Sequence, residues 1–484
     1  MTSVPTTTRR RVLQSLGAAG ATAAAGCISA PAAEEETAET TPQSPKMNGT
    51  QSLDTERVAA NPTAIPGPID RDSPKTVSVE MTTLEQVAEV EPGVTYTYMS
   101  FDGRVPGPMI RARVGDHVEM TITNDEGNSM PHNIDLHAVR GTGGGAEASM
   151  VAPGETETFT FKATYPGLFI YHCAVPNLDY HISSGMFGAI LVEPREGLPE
   201  VDKEFYFGQH ELYTTGDAGE EGHHDFDFEA MKAEDPTYVL MNGEKYAITP
   251  DGYGAPSLEV GETARVYFVC GGPNLDSSFH PIGSVWDEVW QQGAIAGPPN
   301  KYVQTTPVKP GSCAIATLHA EVPGPIKLVD HALSRVARKG MLAIIERTGE
   351  PNPDVFDPGT ESASGGSSGT ADFDGWFDNA DNYDGVVDRT GEDEVTVQVG
   401  SQANGGAFGF APPAVAVSTG TTVTWEWTGE GGSHDVKAAD GSFASDLTDE
   451  SGHTFSRTFD ETGTTKYACT PHKTLGMKGA VVVE

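Results

Sequence analysis

A period-two alternation of apolar and polar residues constrains the fold of this chain more than any other feature. The segment 118–123, Val-Glu-Met-Thr-Ile-Thr, is one example, and the pattern recurs between residues 71 and 484 with frequent glycine and proline interruptions. Successive side chains of a strand point to opposite faces of a sheet, so this period is typical of half-buried strands in β-sandwiches. The sequence therefore predicts an all-β protein.

Three similar units follow one another along the chain. Each ends in a strand-like segment that closes on glutamate, MFGAILVE at 186–193, KGMLAIIE at 339–346 and MKGAVVVE at 477–484. A length of 484 residues also fits about three domains. We predict three Greek-key β-sandwich domains, at residues 71–197, 198–350 and 371–484.

The connections between the units differ in length and composition. Residues 194–199 join the first two units almost directly, which predicts that these two domains pack as a pair. Residues 351–370 include the run Glu-Ser-Ala-Ser-Gly-Gly-Ser-Ser-Gly, a composition typical of a flexible linker. The third domain is therefore expected to lie on a flexible connection.

The N-terminal residues predict export. Residues 1–27 combine Arg9-Arg10-Arg11 with a short run of small apolar residues, which is typical of a twin-arginine signal. The segment Ala-Ala-Gly-Cys ending at Cys27 resembles a lipoprotein processing box, and an ordinary cleaved signal is the alternative. Residues 28–70 are too polar to fold alone and are predicted to form a disordered tether. We expect the protein on the outer face of the cytoplasmic membrane, lipid-anchored through Cys27.

The charge of the chain excludes one class of partner. The 69 Asp and Glu residues outnumber 30 Lys and Arg, for a formal net charge of −39. Nucleic acid phosphates would be repelled by such a surface, so we predict no nucleic acid binding. Hydrated carboxylates with screening counterions suit high salt, which indicates a halophilic source.

The third unit carries a closely spaced set of metal ligands. Cys469, His472 and Met477 lie in one loop with the spacing Cys-x2-His-x4-Met, and His434 lies upstream after a glycine-rich turn. One thiolate, two imidazoles and one thioether form the ligand set of a type 1 (blue) copper site, which transfers single electrons. The sequence therefore predicts a type 1 copper in the third unit.

The first unit presents the same ligand types with a longer loop. Cys173, His181 and Met186 have the spacing Cys-x7-His-x4-Met, and His132 lies upstream. The chemistry of these four side chains is again that of a type 1 copper site. We predict a second type 1 copper here.

The first unit also has polar residues that a type 1 site does not need, namely Asp135, His137 and His172. Neighbouring strand residues point to opposite faces, so His172 should point outward if Cys173 points inward. By the same rule Asp135 and His137 share a face. Two outward imidazoles form an incomplete metal site, because catalytic metals usually have three protein ligands and one open position.

The second unit lacks the type 1 pattern, because Lys339 stands where the other units place methionine. We expect no type 1 copper there. Its His331 and His280 are both available as the missing third ligand of the outward site. Cys270 and Cys313 lie on apolar strands, and we favour buried thiols over a disulfide.

Five separated segments of residues 71–350 resemble the signature segments of the copper-containing nitrite reductases. In order, they are MPHNIDLH at 130–137, YHC at 171–173, His181-x4-Met186-Phe-Gly, FHPI at 279–282 and VDH at 329–331. The resemblance implies cupredoxin domains, a homotrimer, and reduction of nitrite to nitric oxide. It also implies a type 2 copper held by His137 and His172 of one subunit and His331 of the next.

The same resemblance implies further roles and one departure. Asp135 and His280 are implied as proton donors beside nitrite, and Ile282 as a residue that shapes the pocket. The loop from Cys173 to His181 is one residue shorter than in the best-known members, so the docking of a redox partner is expected to differ while the copper ligands are kept. Residues from about 371 resemble halocyanin-type plastocyanin relatives, which implies a fused electron donor.

Together these expectations amount to two type 1 coppers and one type 2 copper per chain, fed by an external donor that is a small redox protein or a membrane redox chain. A multicopper oxidase is one alternative, but its trinuclear cluster needs paired His-x-His motifs, which this sequence lacks. The other alternative is a non-catalytic electron-transfer or copper-storage protein. Such a protein would have no role for Asp135, His137, His280 and His331. The pair His223-His224 lies in an acidic stretch and is predicted to be a solvated loop.

Overall fold

The structure, a computed structural model, describes residues 39–40, 57–250, 252–357, 373, 375–377 and 379–484. Within these residues the strands form six sheets, and the sheets pair into three sandwiches. The predicted all-β class is confirmed. No helix in this part of the chain is both long enough and apolar enough to cross a membrane.

The first sandwich consists of one sheet in the order β11-β3-β2-β5-β7, with β1 beside β2, and a second sheet in the order β4-β9-β8-β6. Its edge strand β11 (Gly222–His224) comes from the second unit of the sequence. The helix α1 (Leu178–Ser183) lies between β8 and β9. The strands are β1 (Glu39–Thr40), β2 (Thr76–Glu91), β3 (Val94–Phe101), β4 (Ile110–Arg113), β5 (His117–Asn124), β6 (Asp135–Leu136), β7 (Thr156–Lys162), β8 (Gly167–His172) and β9 (Phe187–Glu193).

Strand β5 shows how the alternating pattern builds the core of the first sandwich. Val118, Met120 and Ile122 are fully buried, whereas the residues between them lie at the surface or are half-buried. The apolar face of β5 packs in the same buried cluster as Cys173 and Met186. The core therefore encloses the predicted thiolate site.

The second sandwich has sheets in the orders β12-β10-β14-β19-β16-β17 and β13-β21-β20-β15-β18. Two short helices, α2 (Phe228–Lys232) and α3 (Ser334–Ala337), connect its strands. The strands are β10 (Lys203–Leu212), β12 (Tyr238–Met241), β13 (Ser257–Glu259), β14 (Thr263–Gly272), β15 (Ser277–Ile282), β16 (Trp286–Gln291), β17 (Asn300–Val303), β18 (Thr306–Val308), β19 (Ser312–His319), β20 (Gly324–Asp330) and β21 (Leu342–Thr348).

The first two sandwiches share a buried junction, as predicted from their short connection. An apolar cluster combines residues of both, among them Tyr98 and Phe187 from the first and Tyr267 from the second. Beside it Glu204 accepts hydrogen bonds from Arg111 at 2.6 Å, from Arg265 at 2.8 Å and from the Tyr267 hydroxyl at 2.6 Å. Apolar burial and paired charges thus hold the two sandwiches in one arrangement.

The third sandwich has sheets in the orders β24-β23-β26-β28 and β22-β25-β30-β29-β27. Its core contains the fully buried rings of Trp425, Trp427 and Tyr467. The strands are β22 (Val387–Asp388), β23 (Glu394–Ala403), β24 (Gly406–Ala411), β25 (Ala414–Val417), β26 (Thr421–Trp427), β27 (Lys437–Ala438), β28 (Thr454–Phe459), β29 (Gly463–Ala468) and β30 (Lys478–Val483).

Two predictions about irregular segments are wrong. Residues 57–70, assigned to the disordered tether, pack on the body of the protein: Val58 is fully buried and its N–H donates to Glu244 at 2.9 Å. The pair His223-His224 belongs to β11, which lies parallel to β3 of the first sandwich, and His224 is buried. Both segments adjoin polar stretches of sequence, which led to the wrong prediction. In the structure their backbones form hydrogen bonds with distant parts of the chain.

Other predictions fall on residues outside the described ranges. The export signal, Cys27, most of the tether and residues 358–370 of the linker are among them. Cys270 and Cys313 are described, and both are buried, unpaired thiols on neighbouring strands. The buried-thiol interpretation of these two cysteines therefore agrees with the structure.

Candidate metal centres

The first sandwich brings Cys173, His132 and His181 together in its interior. Cys173 follows the last residue of β8, His132 is bridged to Val151, and His181 lies in α1. The Cys173 Sγ atom lies 3.9 Å from His132 Nδ1 and 3.6 Å from His181 Nδ1. All three side chains are buried, so one thiol and two ring nitrogens face a common point away from solvent.

Met186 is tied to this cluster through the backbone. The Cys173 N–H donates to the Met186 carbonyl at 3.1 Å, and the Met186 N–H donates to the His181 carbonyl at 3.0 Å. Met186 is fully buried in the same core as Cys173. The preceding Gly185 has φ +116°, and a Cβ there would lie 2.5 Å from Val105, so only glycine lets the chain turn into Met186 at this point.

Burial controls the protonation of this first cluster. It raises the pKa of the Cys173 thiol to about 11 and lowers the pKa of His181 to about 4. It also lowers the pKa of His132, although Glu85 opposes the shift. At neutral pH the imidazoles are therefore neutral and able to donate lone pairs, and a bound cation would have to displace the thiol proton.

The third sandwich repeats the arrangement. The Cys469 Sγ atom lies 3.6 Å from His434 Nδ1 and 3.3 Å from His472 Nδ1, and the two ring nitrogens are 3.0 Å apart. Met477 is fully buried and closes the loop through hydrogen bonds from the Cys469 N–H and to the His472 carbonyl, both at 3.1 Å. Burial raises the pKa of Cys469 and lowers the pKa of both histidines.

The spacing of these atoms fits one metal ion in each cluster. Metal–donor distances of about 2.0 Å for nitrogen and 2.3 Å for sulfur, at tetrahedral angles, separate the donor atoms by roughly 3.3–3.5 Å. The observed separations in the two clusters run from 3.0 to 3.9 Å. A soft thiolate beside imidazoles and a buried methionine is the donor set that copper prefers for electron transfer.

A third cluster lies on the opposite side of β8. Asp135 is paired with His172 across β6 and β8, and His137 Nε2 lies 3.1 Å from His172 Nε2. The outward direction of His172 follows from its position next to Cys173, as strand parity predicted. The strand carrying Asp135 is only two residues long, so hydrogen bonding to β8, including the His137 N–H to the Ile170 carbonyl at 3.0 Å, positions this side of the cluster.

The outward cluster joins an exposed His137, a half-buried Asp135 and a buried His172 beside a glycine turn. Desolvation of its ring, followed by the charge of the neighbouring His172, lowers the pKa of His137, which keeps the ring neutral at neutral pH. Gly144 lies against the Asp135 carboxylate so closely that a Cβ would be 1.8 Å from Oδ1. Its φ of +59° also favours glycine. The Gly-rich turn thus allows a carboxylate and two imidazoles to occupy one small space.

Residues 83–197 match a family model described as multicopper oxidase, and residues 395–484 match one for copper-binding proteins of the plastocyanin/azurin family. A copper-containing nitrite reductase of Neisseria meningitidis serogroup B is 48% identical over 292 residues, covering 60% of this chain and 74% of the relative. The chain belongs to the copper-containing nitrite reductase family. The resemblance noted in the sequence is thereby confirmed.

Solved structures agree with membership of the nitrite reductase family. A copper nitrite reductase from Nitrosomonas europaea is 33% identical, and the match covers 58% of this chain and 96% of that chain with a TM-score of 0.52. A multicopper oxidase is 26% identical, and that match covers 61% of this chain and 100% of the other with a TM-score of 0.50. The sequence identity is higher with the nitrite reductase, at 33%, than with the multicopper oxidase, at 26%.

The second sandwich places two further histidines of interest side by side. The rings of His280 and His331 lie 5.1 Å apart, on β15 and directly after β20. His280 Nδ1 contacts the Gln304 carbonyl at 2.6 Å, and the His331 N–H donates to the Ser278 carbonyl at 2.8 Å. Among the described residues of one chain, neither joins the group formed by Asp135, His137 and His172.

Several residues around the metal centres were missed from the sequence. Glu85 accepts hydrogen bonds from Ser129 and Met130 and lies 3.2 Å from His132 Nε2. Asn133 accepts a hydrogen bond from the N–H of the residue after Cys173 at 2.7 Å. Glu85 lies in none of the quoted motifs, and Asn133 lies within the segment MPHNIDLH, where no role was assigned to it. The glycine run at 141–145 was a visible signal for the turn over Asp135, because such runs often mark a close approach of the backbone to a site.

Proposed function

We propose that this protein reduces nitrite to nitric oxide and water, with one electron and two protons per nitrite, and that its C-terminal domain supplies the electron. The observation that carries the proposal is the adjacency of two sites. Cys173 is buried within the first sandwich, while its neighbour His172 faces the outward cluster beside His137. One peptide unit therefore connects an electron-transfer site to a site that is open to substrate.

The donor sets support two type 1 coppers and one type 2 copper per chain. The type 1 ligands would be His132, Cys173, His181 and Met186 in the first domain, and His434, Cys469, His472 and Met477 in the third. His137 and His172 would hold the type 2 copper together with His331 of the partner subunit. When bound there, copper supplies positive charge for the nitrite anion and the electron for its reduction.

The protons would come from the chain itself. Asp135 shares the outward face with His172 and groups with His137 and His172, so its carboxyl would face a nitrite bound at a metal there. His280 is half-buried, and its Nδ1 contacts the Gln304 carbonyl at 2.6 Å, which leaves Nε2 as the ring nitrogen that could carry a proton to the substrate. Two such groups on opposite sides of nitrite can donate the two protons that convert one of its oxygens to water.

A homotrimer would complete the site. The outward cluster of one chain has two imidazoles, whereas His280 and His331 lie elsewhere on the same chain. Near them the surface carries apolar side chains, with Ile282 39% exposed and Leu333 53% exposed. A subunit contact that covers this surface would bring His331 and His280 of the partner subunit to His137 and His172, with Ile282 against the pocket.

The activity is tested by loading the full chain with copper and measuring nitric oxide formation from nitrite with a chemical reductant. We expect nitric oxide, three coppers per chain, and a trimeric mass by light scattering. The His331→Ala variant should retain both thiolate–copper absorption bands and contain two coppers per chain. Oxygen consumption in place of nitrite reduction would instead indicate a multicopper oxidase.

The donor role of the C-terminal domain needs a separate measurement. After full reduction, added nitrite should restore the oxidised absorption of the Cys469 centre in the wild-type chain. In the His172→Ala variant the same centre should stay reduced, because the catalytic site is disabled. Rapid reoxidation in both proteins would contradict the proposed route.

We also propose export and anchoring, on the basis of residues 1–27 alone. The twin-arginine signal would deliver the folded protein across the cytoplasmic membrane, and a lipid on Cys27 would hold it at the outer face. Mass spectrometry of the mature N-terminus tests this proposal. An unmodified N-terminus at a residue other than Cys27 would support an ordinary cleaved signal.

A further inference from the structure

The C-terminal sandwich packs against the second sandwich of the same chain. Phe408, Leu475 and Met477 of the third sandwich belong to the same buried apolar cluster as Tyr246 and Ile344 of the second. Val336 and Ala337 are half-buried against this cluster. We call Tyr246, Val336, Ala337 and Arg338 the docking patch, and Phe408, His472 and Leu475 the copper edge.

The copper edge is closed from solvent in this arrangement. His472 is 6% exposed, Leu475 7% and Phe408 8%, and the rings of Phe408 and His472 lie 4.7 Å apart. A histidine ligand near the surface, with an apolar rim, is where a redox partner would approach a buried copper most closely. Here a face of the second sandwich occupies that position.

The docking patch is built from two segments of the second sandwich. The Tyr246 hydroxyl donates to the Ala337 carbonyl at 3.0 Å, which ties residue 246 to the end of α3. Tyr246 has φ +60°, a left-handed conformation that is uncommon for a bulky residue. Such backbone strain is often retained where a side chain must be presented in one direction.

Charge and additional contacts accompany the apolar centre of the interface. An ideal Cβ at Gly432 would lie 3.9 Å from Arg338 Nη1, so Arg338 faces the loop 428–434, whose one acidic side chain is Glu430. Leu447 makes a second contact, since a Cβ at Gly219 would lie 3.4 Å from Leu447 Cδ2. A cavity of about 610 Å³ lies beside the patch, lined on one side by Lys245 and Tyr246 and on the other by residues of the third sandwich.

We propose that the docking patch holds the copper edge of the chain's own C-terminal domain, and that this docked state shields the Cys469 centre from external redox partners until the domain is released. The contact combines apolar and charged side chains and leaves a cavity of about 610 Å³ beside them, as in reversible contacts between domains. Release would allow an external donor to reach His472. The proposal rests on the proposed function only in taking Cys469 and its neighbours as a copper site.

The test uses the full copper-loaded chain with Cys173→Ser, so that the Cys469 centre is the one thiolate–copper chromophore expected. Stopped-flow mixing with ferricyanide measures how fast this centre, once reduced, is oxidised. We expect Val336→Glu to speed the reaction by at least about fivefold, because the docked population falls. X-ray scattering should show a larger radius of gyration. Val355→Glu, at a 51% exposed valine outside the clusters, is the matched control and should change neither quantity.

Arg338→Glu reverses an exposed charge without disturbing the core and should act in the same direction as Val336→Glu. An unchanged rate and radius in both variants would overturn the proposal. So would a fall of the mass to one chain with an unchanged rate, which would assign Val336 to a subunit contact. Absence of thiolate–copper absorption in the Cys173→Ser protein would contradict the copper assignment itself and the shielding with it.

Discussion

The cysteine sites of the first and third sandwiches share the same backbone hydrogen bonds but lie in domains with different proposed roles. In both, the cysteine N–H donates to the methionine carbonyl, and the methionine N–H donates to the carbonyl of the second histidine. The loop between cysteine and that histidine differs: α1 follows Cys173, whereas a 3₁₀ turn from Thr470 to Leu475 follows Cys469. The ligand geometry therefore tolerates a five-residue difference in loop length.

The decisive difference lies on the opposite face of the same strand pair. In the first sandwich β6 and β8 pair Asp135 with His172, and in the third β27 and β29 pair Lys437 with Ala468 at the corresponding position. A carboxylate and an imidazole can bind a metal and move a proton, whereas lysine and alanine cannot do both. The comparison shows how two outward residues can separate an enzyme domain from an electron carrier with the same interior.

A second difference concerns the first histidine ligand. His132 Nε2 lies 3.2 Å from the Glu85 carboxylate, whereas His434 Nε2 contacts the Glu430 backbone carbonyl at 2.8 Å. The first site therefore has a full negative charge at the back of its imidazole, and the third has a peptide dipole. A negative charge near a copper stabilises the oxidised form and lowers the reduction potential.

The largest effect is expected from making the first sandwich resemble the third at its outward face. His172→Ala should lower nitric oxide formation by roughly 1000-fold or more, because a ligand of the catalytic metal is removed. The absorption of the Cys173 centre should persist, since that side chain lies on the other face. Loss of this absorption as well would show that the two faces are not independent.

Asp135→Asn should have the next largest effect. Removing a proton donor in the transition state typically costs about 100-fold in kcat or more. Copper content should remain at three per chain, because the proposed ligands are intact. Unchanged kcat across the pH range would contradict the assignment of Asp135 as a proton donor.

Glu85→Gln tests the difference at the first histidine ligand. The amide keeps the shape and can still accept from Met130, but it removes the charge beside His132. We expect the potential of the Cys173 centre to rise by tens of millivolts, measured by a redox titration followed in absorption. The matched control is Glu430→Gln, which should leave the Cys469 potential unchanged because His434 uses the backbone there. Equal shifts in both variants would contradict this account.

The smallest effect is expected from Asp435→Asn, which gives the third site the residue type that the first has at Asn133. Asp435 accepts hydrogen bonds from the Thr470 N–H and hydroxyl at 2.5 and 2.6 Å. An amide keeps the backbone contact and weakens the other, which costs about 1 kcal/mol of unfolding free energy. Thermal loss of the Cys469 absorption should shift down by roughly 2–4 °C. A larger fall would mean that the charge itself stabilises the loop.

Ligands that lie close together in sequence were predictable. The spacings Cys-x7-His-x4-Met and Cys-x2-His-x4-Met place three donors on one loop, and the opposite directions of His172 and Cys173 follow from the geometry of any strand. The alternating pattern likewise predicted the all-β class. Each of these features depends on residues within a few positions of one another.

Features that depend on distant segments were not predictable. Glu85 lies 47 residues before His132 and meets it only because β2 and the segment after β5 are brought together. His223 and His224 lie in a polar stretch of sequence, yet they form a strand that pairs with β3 of the first sandwich. Val58 is fully buried, although the residues around it in sequence gave no sign of this.

The sequence by itself determined the sandwich class, the two cysteine loops and the outward direction of His172, because strand periodicity and loop spacing are local properties. Tertiary structure alone decided which groups lie behind the histidine ligands, which glycine covers Asp135, and where the copper edge of the third sandwich rests. Those arrangements depend on sheet register and on packing between domains, and many sequences with the same local pattern could satisfy them differently.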